Sequence, residues 1–222
     1  MEALKHETLF RGDLKKLEDY TIWIGGCGAL GSNVAEGLAR HGVKSFVLVD
    51  FDRIEASNLG TQPWYSEEIG SMKAPTLSKR LYRINKSKTA VVTQRFEGTA
   101  FNKFLPDKVL PNSKYVLVDV FDNFETRKLV KEFYKGFGND ACVHAGMSGD
   151  GYGEVVWDEK YVIPDKKSQG VDVCEYPLAR NLVIFISTLC VETIIDWIMA
   201  GKKYNYRFTL TDKSIIKEEL TK

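Results

Sequence analysis

The chain has 222 residues, 44% of them hydrophobic and 27% charged, and a formal net charge of +1. Such a composition can bury one substantial core, and the length fits a single domain over residues 1–222. The near-neutral balance excludes a nucleic-acid grip driven by overall charge, though not a local patch.

The opening MEALKHETLFRGDLKKLEDY lacks a charged-then-apolar signal segment and sets Leu4, Leu9, Leu14 and Leu17 among charges. Glu2–Tyr20 therefore reads as an amphipathic helix or two short ones, in a cytoplasmic protein. Thr21–Ile24 is a predicted strand running into Gly26-Cys27-Gly28-Ala29-Leu30-Gly31, a G-x-G-x-x-G turn. Its glycines have separate tasks: a tight turn, close approach of backbone N–H groups to a phosphate, and close packing of helix on strand. Ala29–Arg40 comes next as a helix stopped at Gly42, with its N-terminus toward the turn. A second strand, Phe46–Val49, ends in Asp50, where such units place an acid on a ribose hydroxyl. Nucleotide binding is expected; the alternative is a fold of this type that has lost its ligand.

The polar stretch FDRIEASNLGTQPWYSEEIGSMKAP is too long for a mere connector and supplies Asp52, Glu55, Asn58, Gln62 and Lys73. A helix is predicted over Ala74–Ile84, with Pro75 in its first turn, then a strand over Lys88–Arg95, a short helix over Phe101–Leu105 and a buried strand over Lys114–Val120. Asp122 and Asn123 come just after that strand, and a helix runs over Phe124–Phe137. Asp122 thus occupies the carboxyl end of a parallel strand, where open α/β sheets bind ligands. Ala141–Gly146, Gly151–Trp157 and Lys160–Ile163 read as strands, the later ones antiparallel. Pro164–Glu175 is a polar loop, and Pro177 starts a long helix running towards Gly201. Its most apolar part, Leu182–Val191, is too short to span a bilayer and suits a buried core helix. Tyr206–Leu210 and Ser214–Glu219 form a terminal hairpin. The fold class is α/β: a Rossmann-like, mostly parallel sheet flanked by helices, with antiparallel strands toward the C-terminal half.

A nicotinamide enzyme and an ATP enzyme can share the first unit, so the distinction rests on the residues beyond Asp50. Lys73 can neutralise phosphate oxygens, Asp122 can hold Mg²⁺ directly or through water, and Asn58 and Gln62 can donate amide hydrogen bonds. With Asp52 as a second acid, that set suits a triphosphate and its magnesium better than a dinucleotide.

The segments GCGALGSNVAEGLARHGV, LVDFDRIEASNLGTQ, the lysine and alanine of GSMKA, and DVFDN with Arg127 five residues after Asp122 together resemble the ubiquitin-activating-type adenylating enzymes of the ThiF/MoeB/HesA group. The resemblance extends over nearly the whole chain. It implies that the C-terminal carboxylate of a ubiquitin-like or sulfur-carrier protein attacks the α-phosphorus of ATP, giving an acyl-adenylate and pyrophosphate. Gly28 and Ala29 would border the nucleotide between Gly26 and Gly31, and Asp50 would bind the ribose. Asn58, Gln62 and Lys73 would face the phosphates, and Asp122 would bind magnesium with Asn123 beside it. The family usually reads Asn-Leu-x-Arg-Gln where this chain has Asn58-Leu59-Gly60-Thr61-Gln62, so Thr61 replaces a phosphate-binding arginine. It also takes an arginine near the N-terminus from a partner subunit; Arg11 is the candidate here, which implies a homodimer. A carrier ending in Gly-Gly is the expected partner, with no nucleic acid and no membrane. A non-catalytic or weakly active partner of an active adenylating subunit is the second reading.

The four cysteines form no C-x-x-C pair, so neither a disulfide framework nor the family's zinc is signalled, and no zinc is expected. Cys27, Cys142 and Cys190 lie in apolar segments and read as small buried residues. Cys174 lies in the polar loop before the long helix, a setting that can lower a thiol pKa, although Asp172 and Glu175 oppose it. The resemblance gives Cys174 a thioester or sulfur-transfer role. His6, His41 and His144 are too scattered to signal a metal site; His144, at a strand end, reads as satisfying a local hydrogen bond, with lining of the pocket as the alternative. Trp23, Trp157 and Trp197 belong to apolar runs, whereas Trp64 lies in the polar loop.

Overall fold

Parallel central strands are covered on both faces, so they read as continuous apolar runs. The segment YTIWIG does so, with every residue after Tyr20 buried. A computed structural model of the chain describes residues 14–95, 114–134, 141–164 and 175–220. After a short 3₁₀ turn over Leu14–Asp19, which buries Leu17, the chain forms β1 (Tyr20–Gly25), α1 (Ala29–His41) and β2 (Ser45–Val49). The polar loop leads to α2 (Lys73–Asn85), β3 (Lys88–Val92), β4 (Lys114–Asp119) and α3 (Phe124–Tyr134). β5 (Ala141–Met147), β6 (Tyr152–Trp157), α4 (Arg180–Ala200), β7 (Tyr204–Thr209) and β8 (Ser214–Glu219) complete the order.

The strands form one eight-stranded sheet in the order β3-β2-β1-β4-β5-β6-β7-β8. β3 through β5 pair in parallel, and β5 through β8 pair antiparallel. The expected Rossmann-like mixed sheet is what forms. Alternate strand residues feed two cores. Ile22, Ile24, Phe46, Leu48, Val116 and Val118 face the larger one with residues of α1, α2 and α4, while Trp23, Val47, Val49 and Leu117 face the smaller one with Val130 of α3.

Two helices end where a glycine enters the left-handed region, Gly42 at φ +112° and Gly201 at φ +67°. The segment Pro177–Ala200 is long and apolar enough to cross a membrane by length and composition. Here α4 packs against α1, β5, β6 and β7 and buries Leu182, Val183, Ile186, Cys190 and Ile194 in the larger core. It is a core helix.

One expected strand does not form. Residues 160–163 make a turn and irregular chain, because the Tyr161 N–H donates back to the Trp157 carbonyl at 3.1 Å and its ring stacks on His144 at 3.8 Å between centroids. The sheet position beside β6 is taken by β7. The expected helix at Phe101–Leu105 lies outside the described residues.

α1 lies close on β1 because Gly31 carries no side chain: a Cβ there would come within 1.8 Å of the Gly26 carbonyl oxygen. Gly31→Ala should therefore force helix and turn apart and destabilise the fold by about 3 kcal/mol. Urea unfolding followed by circular dichroism measures this.

Candidate functional site

The site grows from the turn after β1. Gly26 has φ +97°, which glycine adopts without penalty, and its N–H donates to the Val49 carbonyl at 2.9 Å. The Cys27 N–H donates to Asp50 Oδ2 at 2.7 Å, and the Asp52 N–H to Asp50 Oδ1 at 2.8 Å. One carboxylate thus ties the glycine turn to the chain leaving β2. Asp50 is only 7% exposed. Burial raises its pKa above the ordinary 3.8, with the Asp52 and Cys27 N–H groups and Lys73 pulling the other way.

Gly28 is the N-cap of α1 and gives it no side-chain cap, and no acidic residue lies in the first turn, so the helix opens toward the turn with its first N–H groups uncapped by its own side chains. A Cβ built on Gly28 would meet only Gln62 Nε2, at 3.9 Å. That combination is a cradle for an anion.

The polar loop closes over it. Asn58 and Gln62 are each 5% exposed. The Asn58 Oδ1 accepts the Glu55 N–H at 3.1 Å, and its backbone carbonyl accepts the Gln62 N–H at 2.9 Å. Gln62 Oε1 accepts the Trp64 indole N–H at 2.7 Å, which turns the amide nitrogen toward Gly28. Trp64 is therefore a buried support of the loop. Thr61 is fully buried, and its carbonyl accepts a hydrogen bond from Arg180 at the start of α4. Lys73 opens α2; its N–H donates to the Asp52 carbonyl at 2.9 Å, while its ammonium, 8% exposed, meets Asp52 Oδ2 at a long 3.4 Å. A nearly buried cation with so loose a counter-ion can take a further anionic oxygen.

The third side is the turn after β4. The Val120 N–H donates to the Gly25 carbonyl at 3.0 Å, and Phe121 lies against the glycine turn. Asp122 is exposed, with its Oδ1 accepting from Asn123 Nδ2 at 3.3 Å. Asn123 also starts α3, its Oδ1 accepting the Thr126 N–H at 2.8 Å. β1 lies between β2 and β4, so the chain leaves it on one side for β2 and later returns on the other, and the crevice at such a switch point is where open α/β sheets bind ligands. The donor set fits a nucleoside triphosphate. The exposed carboxylate of Asp122 also suits Mg²⁺, which takes one or two carboxylates and completes its shell with phosphate oxygens and water.

Gly26, Gly28, Ala29, Gly31, Asp50, Asp52, Asn58, Gln62, Lys73, Asp122 and Asn123 thus lie on the glycine turn and the segments packed around it. Arg11 and Cys174 lie outside the described residues. Cys27, Cys142 and Cys190 are buried.

A second polar group gathers around His144, the histidine of the fifth strand. His144 of β5 is fully buried, with Nδ1 2.8 Å from Asp119 Oδ2 and Nε2 3.0 Å from Asp158 Oδ1. Cys142 Sγ lies 3.5 Å from the same Nε2. Arg127 donates to the Tyr161 hydroxyl at 2.6 Å and the Ala145 carbonyl at 2.9 Å, and Lys131 to the Tyr161 carbonyl at 2.6 Å. Burial would raise the pKa of Asp119 and Asp158, yet both are lowered: Arg127 and His144 outweigh it at Asp119, and His144 and Lys131 at Asp158. The signal was the i, i+2 spacing of Cys142 and His144, which puts both on one face of a strand.

A family model described as the ThiF family matches residues 3–160. The sulfur carrier protein ThiS adenylyltransferase of Bacillus subtilis is 38% identical over 136 residues, 60% of this chain and 37% of the relative. The adenylyltransferase and sulfurtransferase MOCS3 of Mus musculus is 36% identical over 148 residues, 65% of this chain and 29% of the relative. The chain thus spans about a third of the length of these curated relatives. Among solved structures, E. coli MccB with ATP superposes with a TM-score of 0.72 at 18% identity, covering 94% of this chain and 66% of that one.

Gly28→Ala should leave stability within about 1 kcal/mol, since the added methyl meets no protein atom closely, yet weaken ATP binding at least tenfold by filling the cradle. Calorimetric titration beside urea unfolding separates the two effects. The raised pKa of Asp50 gives a pH signature. Ionising this carboxylate opposes folding as pH rises through its folded value, and on acidification it takes up its proton above pH 3.8. ATP affinity should accordingly start to fall at a higher pH than an ordinary aspartate would dictate, and Asp50→Asn should flatten the profile.

Proposed function

The chain belongs to the ThiF family, and from that premise we propose that it is an ATP-dependent adenylyltransferase acting on the C-terminal carboxylate of a sulfur-carrier or ubiquitin-like protein. The observation that carries this reading is the uncapped α1 N-terminus at Gly28, clamped through Asp50 and faced by Gln62, with Lys73 alongside.

In this reading the backbone of Gly28 and Ala29 borders the phosphates, and the carboxylate of Asp50 accepts the ribose hydroxyls. The carrier carboxylate oxygen forms a bond to the α-phosphorus as the bond from that phosphorus to the bridging oxygen breaks. Pyrophosphate leaves with the electron pair, and the carrier remains as acyl-adenylate. Lys73 and the amides of Asn58 and Gln62 stabilise the charge that builds on the phosphate oxygens. Asp122, with Asn123 beside it, would hold Mg²⁺, which neutralises phosphate charge when bound. Arg11 supplies the further cation from a second copy, which makes the working unit a homodimer. Cys174 then attacks the acyl carbon of the adenylate, giving up its thiol proton and forming a thioester as AMP leaves, or, carrying a persulfide loaded by a separate sulfur-donor protein, forms an acyl disulfide with the same loss of AMP. The carrier ends in Gly-Gly, and the protein works in the cytoplasm without nucleic acid or membrane.

Thr61 favours a second reading. It brings no cation to the loop position where the family usually carries an arginine, and its carbonyl is held by Arg180. A chain that binds ATP without turning it over would be a non-catalytic partner of an active subunit.

ATP–pyrophosphate exchange with magnesium and a panel of carriers ending in Gly-Gly tests both readings. Carrier-dependent exchange is expected, reduced about 10²–10³-fold in Asp122→Ala and in Arg11→Ala. Cys174→Ala should retain exchange and lose capture of the carrier. ATP binding without exchange for any carrier would sink the enzymatic reading and leave the partner one.

A further inference from the structure

We propose that Cys142, His144 and Asp158 form a binding site for one divalent transition-metal ion of zinc's class, on the α3 side of the sheet. The thiol, Nε2 and carboxylate donors all lie within 4.8 Å of one another. Cys142 Sγ is 3.5 Å and Asp158 Oδ1 is 3.0 Å from His144 Nε2. Tetrahedral zinc would set these two edges at about 3.5 Å for sulfur–nitrogen and about 3.3 Å for nitrogen–oxygen, close to those present, while the thiol–carboxylate edge, within 4.8 Å here, would close to about 3.5 Å by rotation of the Asp158 carboxylate.

Three further observations fit a ligand set. Asp119 Oδ2 sits 2.8 Å from His144 Nδ1, the carboxylate–histidine arrangement that fixes the ring and leaves Nε2 to the metal. Tyr161 stacks on the ring at 3.8 Å and closes the pocket, while the Asp158 side chain, 15% exposed, gives a way in. Lys131 lies 3.5 Å from Asp158 Oδ1 but also reaches the carbonyls of Asp158 and Tyr161 at 3.2 and 2.6 Å, so it keeps partners if the carboxylate turns to a metal.

The site ties together β4, β5 and the turn after β6. Asp119 uses its other oxygen, Oδ1, to accept the Phe121 N–H at 3.2 Å, at the base of the turn that carries Asp122. The metal's role is to fix that turn. The inference does not depend on adenylation, because its readout is metal binding alone.

The test is a titration of the metal-stripped full chain with Co²⁺, followed by displacement with Zn²⁺. One equivalent should bind, with a thiolate-to-cobalt charge-transfer absorption in the ultraviolet and the intense visible bands of a tetrahedral ion, and zinc should abolish both. Cys142→Ser should remove the charge-transfer absorption, and Cys190→Ser should keep it. Asp119→Asn should weaken affinity about 10–100-fold. Circular dichroism confirms that each variant is folded, and Asp158→Asn, expected to weaken binding at least tenfold, gives a second reading of the ligand set. Absence of any thiolate–cobalt absorption in the wild type would overturn the proposal and leave the cluster a buried ion pair. Absorption that survives Cys142→Ser would overturn it by placing the metal elsewhere.

Discussion

The structure at the glycine-turn end of the sheet depends on one carboxylate. Asp50 accepts the Cys27 N–H from the glycine turn and the Asp52 N–H from the chain leaving β2. Without that acceptor, two backbone donors would face a nearly dry pocket, at a cost of about 1–3 kcal/mol each. The clamp holds the turn open at Gly28 and starts the polar loop in the direction that returns Lys73 beside Asp52. Gln62, Trp64 and Thr61 then hold the loop's far end, the last through Arg180 of α4. A local carboxylate contact thereby connects the site to the core helix.

The elements were legible because each carries its own punctuation. Gly42 and Gly201 stop helices in the left-handed region, and the buried strands are apolar through their length. The glycine turn, Asp50 and Lys73 were legible for the same reason: the motif states its local geometry. Residues 160–163 were not, since the alternation around Tyr161 resembles a strand while its buried face is a contact with His144. That contact exists only once β5 and the turn after β6 are placed together. Nor could periodicity show Arg180 reaching Thr61, 119 residues away, or gather Asp119, His144 and Asp158, which come from three separate segments.

Two strands end with the same device. Asp50 closes β2 and Asp119 closes β4, and each accepts the N–H two residues on, at 2.8 and 3.2 Å. This short-range bond turns the chain sharply where it leaves the sheet. Both aspartates are buried, yet burial prevails at Asp50 and raises its pKa, whereas at Asp119 the charges of Arg127 and His144 prevail and lower it. The difference is one of partners. Asp119 has its compensating charges within the protein, while Asp50 has two backbone N–H groups and Lys73 beyond them.

That difference bears on where each carboxylate is used. A buried anion already compensated by arginine and imidazole gains little from a further donor, so Asp119 is suited to hold a fixed arrangement of β4 and β5. An anion held short of compensation gains from each new hydrogen-bond donor brought to it. Asp50 is in that condition, and so in mirror image is Lys73, a buried ammonium with its carboxylate partner at 3.4 Å. Both lie beside the open cradle at Gly28. A ligand carrying hydroxyl donors at one end and anionic oxygens at the other would complete both at once, and a ribose triphosphate has that polarity.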